Sequence, residues 1–139
     1  MSRYGSCECK NIEIYWEVEN LTLTPRACQC GYCMSMGAAY ISKSGSTFEA
    51  NIRTDACYHK VQHGSRNAIF HECTNCHIVV FVTAEMDGTV YGVLNANCLV
   101  NQAGLSTPIT TNFGTESGAQ KQQRWRQNWC QPVLITSRG

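Results

Sequence analysis

The sequence predicts a mainly β domain with one short helix near its C-terminus. Short alternating or apolar segments recur at close intervals, and turn-forming residues separate them. Only the segment before the C-terminus has a helix-compatible composition. With 139 residues, of which 43% are hydrophobic and 15% charged, the chain fits one globular domain over residues 1–139.

The first predicted strand spans residues 11–18, where apolar side chains alternate with polar ones as on a half-buried strand. Further short strands are predicted at 38–42, 47–52, 58–62 and 67–71. The continuous apolar run 77–83 fits a strand buried on both faces, and Met86-Asp87-Gly88 predicts a hairpin turn into a strand at 89–94.

The C-terminal third is predicted as a loop at 105–115 and a helix at 117–129. Trp125 and Trp129 are four residues apart, so on a helix they share one face, which favours core packing or a homodimer contact. Lys121, Arg124 and Arg126 fit either a solvated face or recognition of a substrate's carboxylates.

Ten cysteines are the most informative residues, because seven of them form three tight clusters. The clusters are Cys7-Glu8-Cys9, Cys28-Gln29-Cys30-Gly31-Tyr32-Cys33 and Cys73-Thr74-Asn75-Cys76. Such short spacings suit ordinary disulfides poorly. Four thiolates close a tetrahedral zinc site and three leave one position open, so the inventory predicts one structural and one reactive ion.

The two outer clusters predict the closed site. Residues i and i+2 of a strand point the same way, so Cys7 and Cys9 can present both sulfurs to one ion. Cys73 and Cys76 can add two more from a tight turn. Disulfides, chance clustering and a rubredoxin-like iron site are the alternatives.

The middle cluster predicts the reactive site. Cys28, Cys30 and Cys33 lie close enough in sequence for one loop to wrap a single ion. Three thiolates make an electron-rich centre suited to holding a sulfur substrate as its thiolate. A fourth ligand, from a histidine, Cys57 or Cys98, would close this site and make it structural instead.

The histidines and the remaining cysteines are weaker candidates. His59, His63 and His71 are each either a proton carrier near a reactive ion or an ordinary hydrogen-bonded histidine. His77 follows Cys76 and either supports a zinc thiolate or faces outward from a strand. Within an apolar strand, Cys98 reads as a small core residue, and Cys130 has no partner at ligand spacing.

Several motifs occur in the order and spacing of a known family. They are Gly5-Ser6-Cys7-Glu8-Cys9, the Cys28-x-Cys30-x-x-Cys33 cluster followed by Met36-Gly37-Ala38-Ala39, residues 70–76, and Asn95-Ala96-Asn97-Cys98-Leu99. In this frame the chain resembles the glutathione-dependent formaldehyde-activating enzyme family, to which centromere protein V also belongs. The resemblance extends over residues 1–100.

The resemblance implies a β-tent fold of small antiparallel sheets clamped by zinc. It assigns a structural zinc to Cys7, Cys9, Cys73 and Cys76, and a catalytic zinc to Cys28, Cys30 and Cys33. It also implies a carbon–sulfur lyase similar to S-(hydroxymethyl)glutathione synthase, in which the thiolate of glutathione adds to formaldehyde. The alternative is a non-catalytic, zinc-stabilised thiol carrier or interaction module.

The chain departs from the family at four positions. Lys10 and His77 stand where the family usually has glycine after each outer cysteine pair, and Gln29 stands where it usually has histidine. Met34 replaces a residue that is often polar or basic. No predicted metal ligand is lost.

Charge and composition narrow the remaining partners. A formal net charge of +1 without a basic stretch interleaved with aromatics excludes the usual footprint of a nucleic-acid binder. No apolar run approaches the roughly 20 residues of a membrane span, and the N-terminus lacks a signal-peptide core. We therefore expect a cytoplasmic protein whose partner is a small thiol such as glutathione, with no membrane and no nucleic acid.

Overall fold

The computed structural model describes residues 2–18, 23–28, 37–62, 68–100, 104–111 and 118–137. Over these residues the protein is mainly β, with two sheets and one α-helix near the C-terminus, which confirms the predicted fold class. The strands are β1 (Ser2–Ser6), β2 (Ile12–Glu17), β3 (Arg26–Cys28), β4 (Ala39–Ile41), β5 (Thr47–Ile52), β6 (Tyr58–Gln62), β7 (Ile69–Cys73), β8 (Ile78–Met86), β9 (Thr89–Asn95), β10 (Ile109–Thr111) and β11 (Val133–Ser137). The helix is α1 (Gly118–Asn128), and short 3-10 helices span Asp55–Cys57 and Ala96–Cys98.

The strands form a small and a large sheet. The small sheet has four strands in the order β1-β2-β5-β11, and the large sheet has seven in the order β10-β3-β4-β9-β8-β7-β6. Neighbouring strands are antiparallel except for β11 beside β5 and β10 beside β3, which are parallel. The tight β8–β9 hairpin turns at Asp87 and Gly88, both of which have positive φ, as the sequence predicts.

The main core lies where the two sheets face each other. Alternation along β2 buries Ile12, Ile14 and Trp16 completely, because successive side chains on a strand point to opposite faces. From β5, the ring of Phe48 meets Phe81 of the large sheet edge-on, with ring centroids 5.8 Å apart. Aromatic packing of this kind therefore joins the sheets through their interior.

A second core cluster lies between the large sheet and α1. Trp125 and Trp129 are both 6% exposed, and their rings stack with centroids 4.7 Å apart. They pack in a cluster with Val79, Val82 and Val93 of the central strands. Trp125 lies on α1, and Trp129 directly follows the helix, with its N–H donating to the carbonyl of Trp125 at 2.8 Å. Both side chains pack in the core, in agreement with the core-packing interpretation.

Several strands differ from the sequence prediction. The strand expected at 67–71 is Ile69–Cys73, and the run 77–83 extends as Ile78–Met86. The predicted loop 105–115 contains β10, so that part of the prediction is wrong. The strands β1, β3, β10 and β11 were not expected, because they are short or lack apolar alternation. In β1, a buried Arg3 and Gly5 occupy the inner positions where alternation would require apolar side chains.

Across the part of the chain that the structure describes, no helix is both long and apolar enough to cross a bilayer.

Gly5 allows β1 to approach the segment that follows β9. Gly5 bridges Leu99, and the N–H of Val100 donates to the carbonyl of Tyr4 at 2.9 Å. A Cβ at Gly5 would lie 2.8 Å from the carbonyl oxygen of Cys98, closer than such contacts allow. The absence of a side chain at this position therefore decides how closely the N-terminal strand packs.

We predict that Gly5→Ala lowers the free energy of unfolding by about 1–3 kcal/mol, because a backbone oxygen cannot move aside as a flexible side chain can. Urea denaturation of the metal-loaded protein measures this change. Glu17→Ala, an exposed position in the same sheet, is the control and should change stability by less than about 0.5 kcal/mol. Equal stabilities for Gly5→Ala and the unsubstituted protein would contradict the close approach.

Candidate metal centre

The four cysteines of the two outer clusters converge on one point. Cys7 and Cys9 lie in the turn between β1 and β2, whereas Cys73 ends β7 and Cys76 lies in the turn before β8. Their four Sγ atoms all lie within 4.8 Å of one another. Two pairs of cysteines that lie 64 or more positions apart in sequence thus form one cluster of sulfurs that can hold a metal ion such as zinc.

The sulfur separations match a tetrahedral thiolate site. The Sγ atoms of Cys7 and Cys9 are 3.7 Å apart, and those of Cys9 and Cys73 are 3.6 Å apart. Four sulfurs at about 2.3 Å from a zinc ion lie about 3.8 Å from one another in a regular tetrahedron. The cluster therefore has the size that a single zinc ion requires.

Backbone N–H groups support two of the sulfurs. The N–H of Cys9 donates to Sγ of Cys76 at 3.2 Å, and the N–H of Ile12 donates to Sγ of Cys7 at 3.4 Å. The bond from Ile12 acts to lower the pKa of Cys7, because a hydrogen bond to a charged acceptor favours its ionised form. The first bond also ties the two halves of the site to each other, because Cys9 and Cys76 come from different turns.

Burial and hydrogen bonding have opposite effects on the pKa of Cys7 and Cys9. Burial raises the pKa of both Cys7 and Cys73, which are 1% and 0% exposed. A hydrogen bond from the Asn75 side chain is the main cause that lowers the pKa of the exposed Cys9 to about 6. Ionising all four together needs a compensating positive charge, which a divalent ion supplies. The soft, fourfold donor set suits zinc.

Asn75 was not identified as a site residue from the sequence. It lies between the paired cysteines of the third cluster, where a short polar side chain can reach a neighbouring sulfur. Its position between the two cysteines is the feature of the sequence that could have identified it.

The site joins the two sheets. Cys7 and Cys9 follow β1 of the small sheet, while Cys73 and Cys76 flank the connection between β7 and β8 of the large sheet. An ion bound here fixes the margin of one sheet against the other. The four-sulfur cluster therefore brings the N-terminal part of the chain next to its middle, as the sequence predicted.

The sequence predicted the correct residues for a partly wrong reason. Cys7 and Cys9 do not lie on a strand, since β1 ends at Ser6 and the chain turns immediately afterwards. The N–H of Lys10 donates to the carbonyl of Cys7 at 3.0 Å, and Lys10 has φ +63°. The turn, rather than strand alternation, brings both sulfurs to one side.

The third cluster closes in a similar way. The N–H of His77 donates to the carbonyl of Cys73 at 2.9 Å, and His77 has φ +58°. Lys10 and His77 are the two positions where the resembled family usually has glycine, the residue that adopts positive φ without strain. Both positions therefore have the left-handed backbone conformation that glycine adopts most readily, with a larger side chain in place.

The middle cluster falls largely outside the described residues. Cys28 is the last residue of β3, and its backbone is paired with Thr111 of β10. Cys30 and Cys33 lie outside the described residues, so a three-sulfur site at Cys28, Cys30 and Cys33 stays a prediction, as does its closure by a fourth ligand.

The remaining described cysteines take no part in the four-sulfur cluster. Cys98 lies in a 3-10 helix rather than on a strand, and it is 6% exposed, which confirms its assignment to the core. Cys130 is fully buried, with its Sγ 3.3 Å from the Ser46 hydroxyl. Cys57 is half-buried at the end of the other 3-10 helix.

His71 is a structural core histidine. Its Nδ1 lies 2.6 Å from the Tyr58 hydroxyl and its Nε2 lies 2.7 Å from the Thr83 hydroxyl. The ring also stacks on Phe81 with centroids 4.0 Å apart. Burial lowers its pKa to about 3, so it stays neutral at physiological pH. Both ring nitrogens are engaged inside the protein, and the interpretation of His71 as a proton carrier is wrong.

The described positions of the other histidines show their exposure but no chemical role. His59 and His77 are exposed, which agrees with the outward-facing interpretation of His77. His77 lies in a turn before β8 and not within the strand. His63 lies outside the described residues.

Comparison with known proteins supports the fold and assigns no activity. No protein-family model matches the chain, and no curated protein matches it significantly. The chain is similar to a solved structure of a Rhodobacter sphaeroides protein, a structural genomics target, with 25% sequence identity and a TM-score of 0.55. The match covers 78% of this chain and 99% of that one. The family resemblance drawn from the cysteine motifs stays a prediction.

We predict that Cys73→Ser removes the ion and destabilises the protein by several kcal/mol, since structural zinc binding in small peptides is worth on the order of 10–16 kcal/mol. Elemental analysis and thermal unfolding of the purified variant measure both effects. Cys130→Ser is the matched control for metal content, because this buried cysteine, with its Sγ 3.3 Å from the Ser46 hydroxyl, lies outside both predicted metal sites. Full metal content in Cys73→Ser would contradict the site.

We predict that Lys10→Gly and His77→Gly each stabilise the metal-loaded protein by about 0.5–1 kcal/mol, because glycine removes the strain of a positive φ. The gain is partly offset by the larger conformational entropy of glycine in the unfolded chain. Thermal unfolding compares each variant with Lys60→Gly, at an exposed strand position where glycine should destabilise. Destabilisation at all three positions would contradict the strain argument.

Proposed function

We propose that the protein is a zinc-dependent enzyme of the carbon–sulfur lyase type, acting on the adduct of a small thiol with a small aldehyde. The proposal assigns a structural zinc to the four-sulfur site and a catalytic zinc to Cys28, Cys30 and Cys33. The observation that supports it is the convergence of Cys7, Cys9, Cys73 and Cys76, the set that the resemblance to the formaldehyde-activating family implies.

In this proposal the four-sulfur site stabilises the fold and takes no part in the chemistry. Four protein thiolates complete the tetrahedron of a zinc ion, so no position remains for a substrate. The chemistry therefore belongs to the middle cluster, where three thiolates leave one position open. The strand β3, paired on one side with β4 and on the other with β10, attaches Cys28 to the large sheet.

The proposed reaction is the reversible addition of a thiol to an aldehyde. The thiolate of a substrate such as glutathione attacks the carbonyl carbon, a carbon–sulfur bond forms, and the carbonyl electron pair moves to oxygen, which takes up a proton. The product is a hemithioacetal, and the reverse reaction breaks the carbon–sulfur bond. Zinc bound at the middle cluster would favour the deprotonated state of the substrate thiol. The buried His71 does not serve as the proton donor.

We also propose a cytoplasmic location. Seven cysteines can act as thiolate ligands only where they stay reduced, and the cytosolic glutathione and thioredoxin systems maintain that state. A cytosolic address also provides the thiol substrate.

A second function is favoured by one specific observation: the metal site that the structure describes is a closed one. A protein whose ions only hold the sheets together would be a thiol carrier or an interaction module without turnover. This alternative needs the outer cysteine pairs and no chemistry at Cys30 or Cys33.

The experiment combines metal analysis with an assay. We predict two zinc ions per chain, one in Cys30→Ser, and an accelerated exchange between glutathione, formaldehyde and their hemithioacetal that falls to the uncatalysed rate in Cys30→Ser. Two-dimensional exchange NMR measures the rate under conditions where the spontaneous reaction is quantified separately. Cys130→Ser, at a cysteine outside both predicted metal sites, is the control for substitution of a cysteine as such.

The two functions give different results. Two ions with no acceleration for any thiol and aldehyde pair would contradict the enzyme and favour the carrier. One ion, retained in Cys30→Ser, would contradict the catalytic zinc site directly.

A further inference from the structure

A polar cavity lies beside the strand that leads into the middle cluster. Its volume is about 360 Å³, at the lower end of the range of small-molecule sites. It is lined by Arg26 of β3, by Ser42, Lys43 and Ser44 in the turn after β4, and by Gln127 and Asn128 at the end of α1, with Leu23 and Thr24 completing the wall. Three segments that are distant in sequence thus converge there.

The guanidinium of Arg26 is held in a defined position. Its Nη2 donates to the Ser42 hydroxyl at 3.0 Å, and that hydroxyl donates to the carbonyl of Asn128 at 2.8 Å. The chain of two hydrogen bonds connects β3, the turn after β4 and the end of α1. A guanidinium has five N–H donors, so this bond leaves capacity for a ligand.

The described wall of the cavity carries two positive charges. Among the described residues that line it, Arg26 and Lys43 are cations and none is Asp or Glu. Burial, and then repulsion by the nearby Arg124, lower the pKa of Arg26, which stays charged all the same. Among the described residues, the ion pairs Arg53–Glu13 and Arg126–Asp87 form elsewhere.

We propose that this cavity is a binding site for a small molecule bearing an oxyanion, either a carboxylate or a phosphate, with Arg26 and Lys43 as its charged contacts. An anion here neutralises a pair of cations that the fold has placed together, and a partly buried guanidinium binds oxyanions in a charge-assisted, directional way. The hydroxyl of Ser44 and the side-chain amides of Gln127 and Asn128 provide further hydrogen-bonding groups around it.

The site lies apart from the basic residues that the sequence analysis considered. Lys121, Arg124 and Arg126 of α1 fitted either a solvated face or carboxylate recognition, and Arg126 pairs with Asp87 at 3.3 Å. Arg124 contributes to the charge around Arg26 without lining the cavity. The proposal is independent of the proposed enzyme, since it rests on this cavity and on no metal ligand.

Titration with two probes, citrate and inorganic phosphate, tests the proposal by NMR on the zinc-loaded protein at constant ionic strength. We expect saturable shifts of the backbone amides of residues 42–44 and 127–128 with at least one probe. The tighter of the two identifies the carboxylate or the phosphate as the preferred group. Glycerol, which is neutral, should cause no saturable shift.

Charge variants decide whether the cavity is responsible. Arg26→Gln and Lys43→Gln should each raise the dissociation constant at least 10-fold, about 1.4 kcal/mol, whereas Lys60→Gln on the exposed β6 should leave it unchanged. Lys43 is exposed, so its variant tests the site even if Arg26→Gln does not fold. The absence of saturable shifts, or equal weakening in Lys60→Gln, would overturn the proposal. Zinc content, measured in parallel, reports separately on the metal sites.

Discussion

The fold depends on the four-sulfur cluster that connects its two sheets. Without an ion, Cys7 and Cys73 are thiols whose ionisation burial opposes, and the margin between the sheets contains crowded sulfurs. With an ion, the same atoms become a cross-link worth on the order of 10 kcal/mol, comparable to the whole net stability of a typical domain. Binding of an ion at this cluster would therefore be coupled to the arrangement of the two sheets.

Close packing at two glycines also holds the sheets together. Gly5, two residues before Cys7, allows β1 to approach the carbonyl of Cys98 closely. A Cβ at Gly92 would lie 2.8 Å from the Phe48 ring. The absence of a side chain at Gly92 in the large sheet therefore leaves space for Phe48 of the small sheet. These contacts set how closely the sheets approach each other, and the N–H groups of Cys9 and Ile12 donate to individual sulfurs. Metal geometry and apolar packing thus favour the same arrangement.

Local patterns predicted the parts of this protein that are decided locally. The alternation of β2 and β5 and the hairpin at Asp87-Gly88 were foreseeable, since each pattern lies within a few residues. The parallel neighbours β10 and β11 were not, because their partners are over 80 residues away and their own side chains are largely exposed or polar. The four ligands were predicted from spacing, but not the left-handed turns at Lys10 and His77. The cavity at Arg26 was missed because three distant segments build it.

The number of thiolate ligands separates a structural metal site from a reactive one. Four thiolates and one divalent ion give a net charge of −4 + 2 = −2 at a saturated centre, which neither accepts a substrate ligand nor attracts an anionic one. In the proposed enzyme the reactive site therefore lies elsewhere, and β3 carries Arg26 of the proposed anion site and Cys28 of the predicted second metal site. Arg26 and Cys28 are two residues apart on that strand, so their Cα atoms lie about 6–7 Å apart. A substrate with both a thiol and an oxyanion is the kind of molecule that both sites together would select, although each proposal can fail alone.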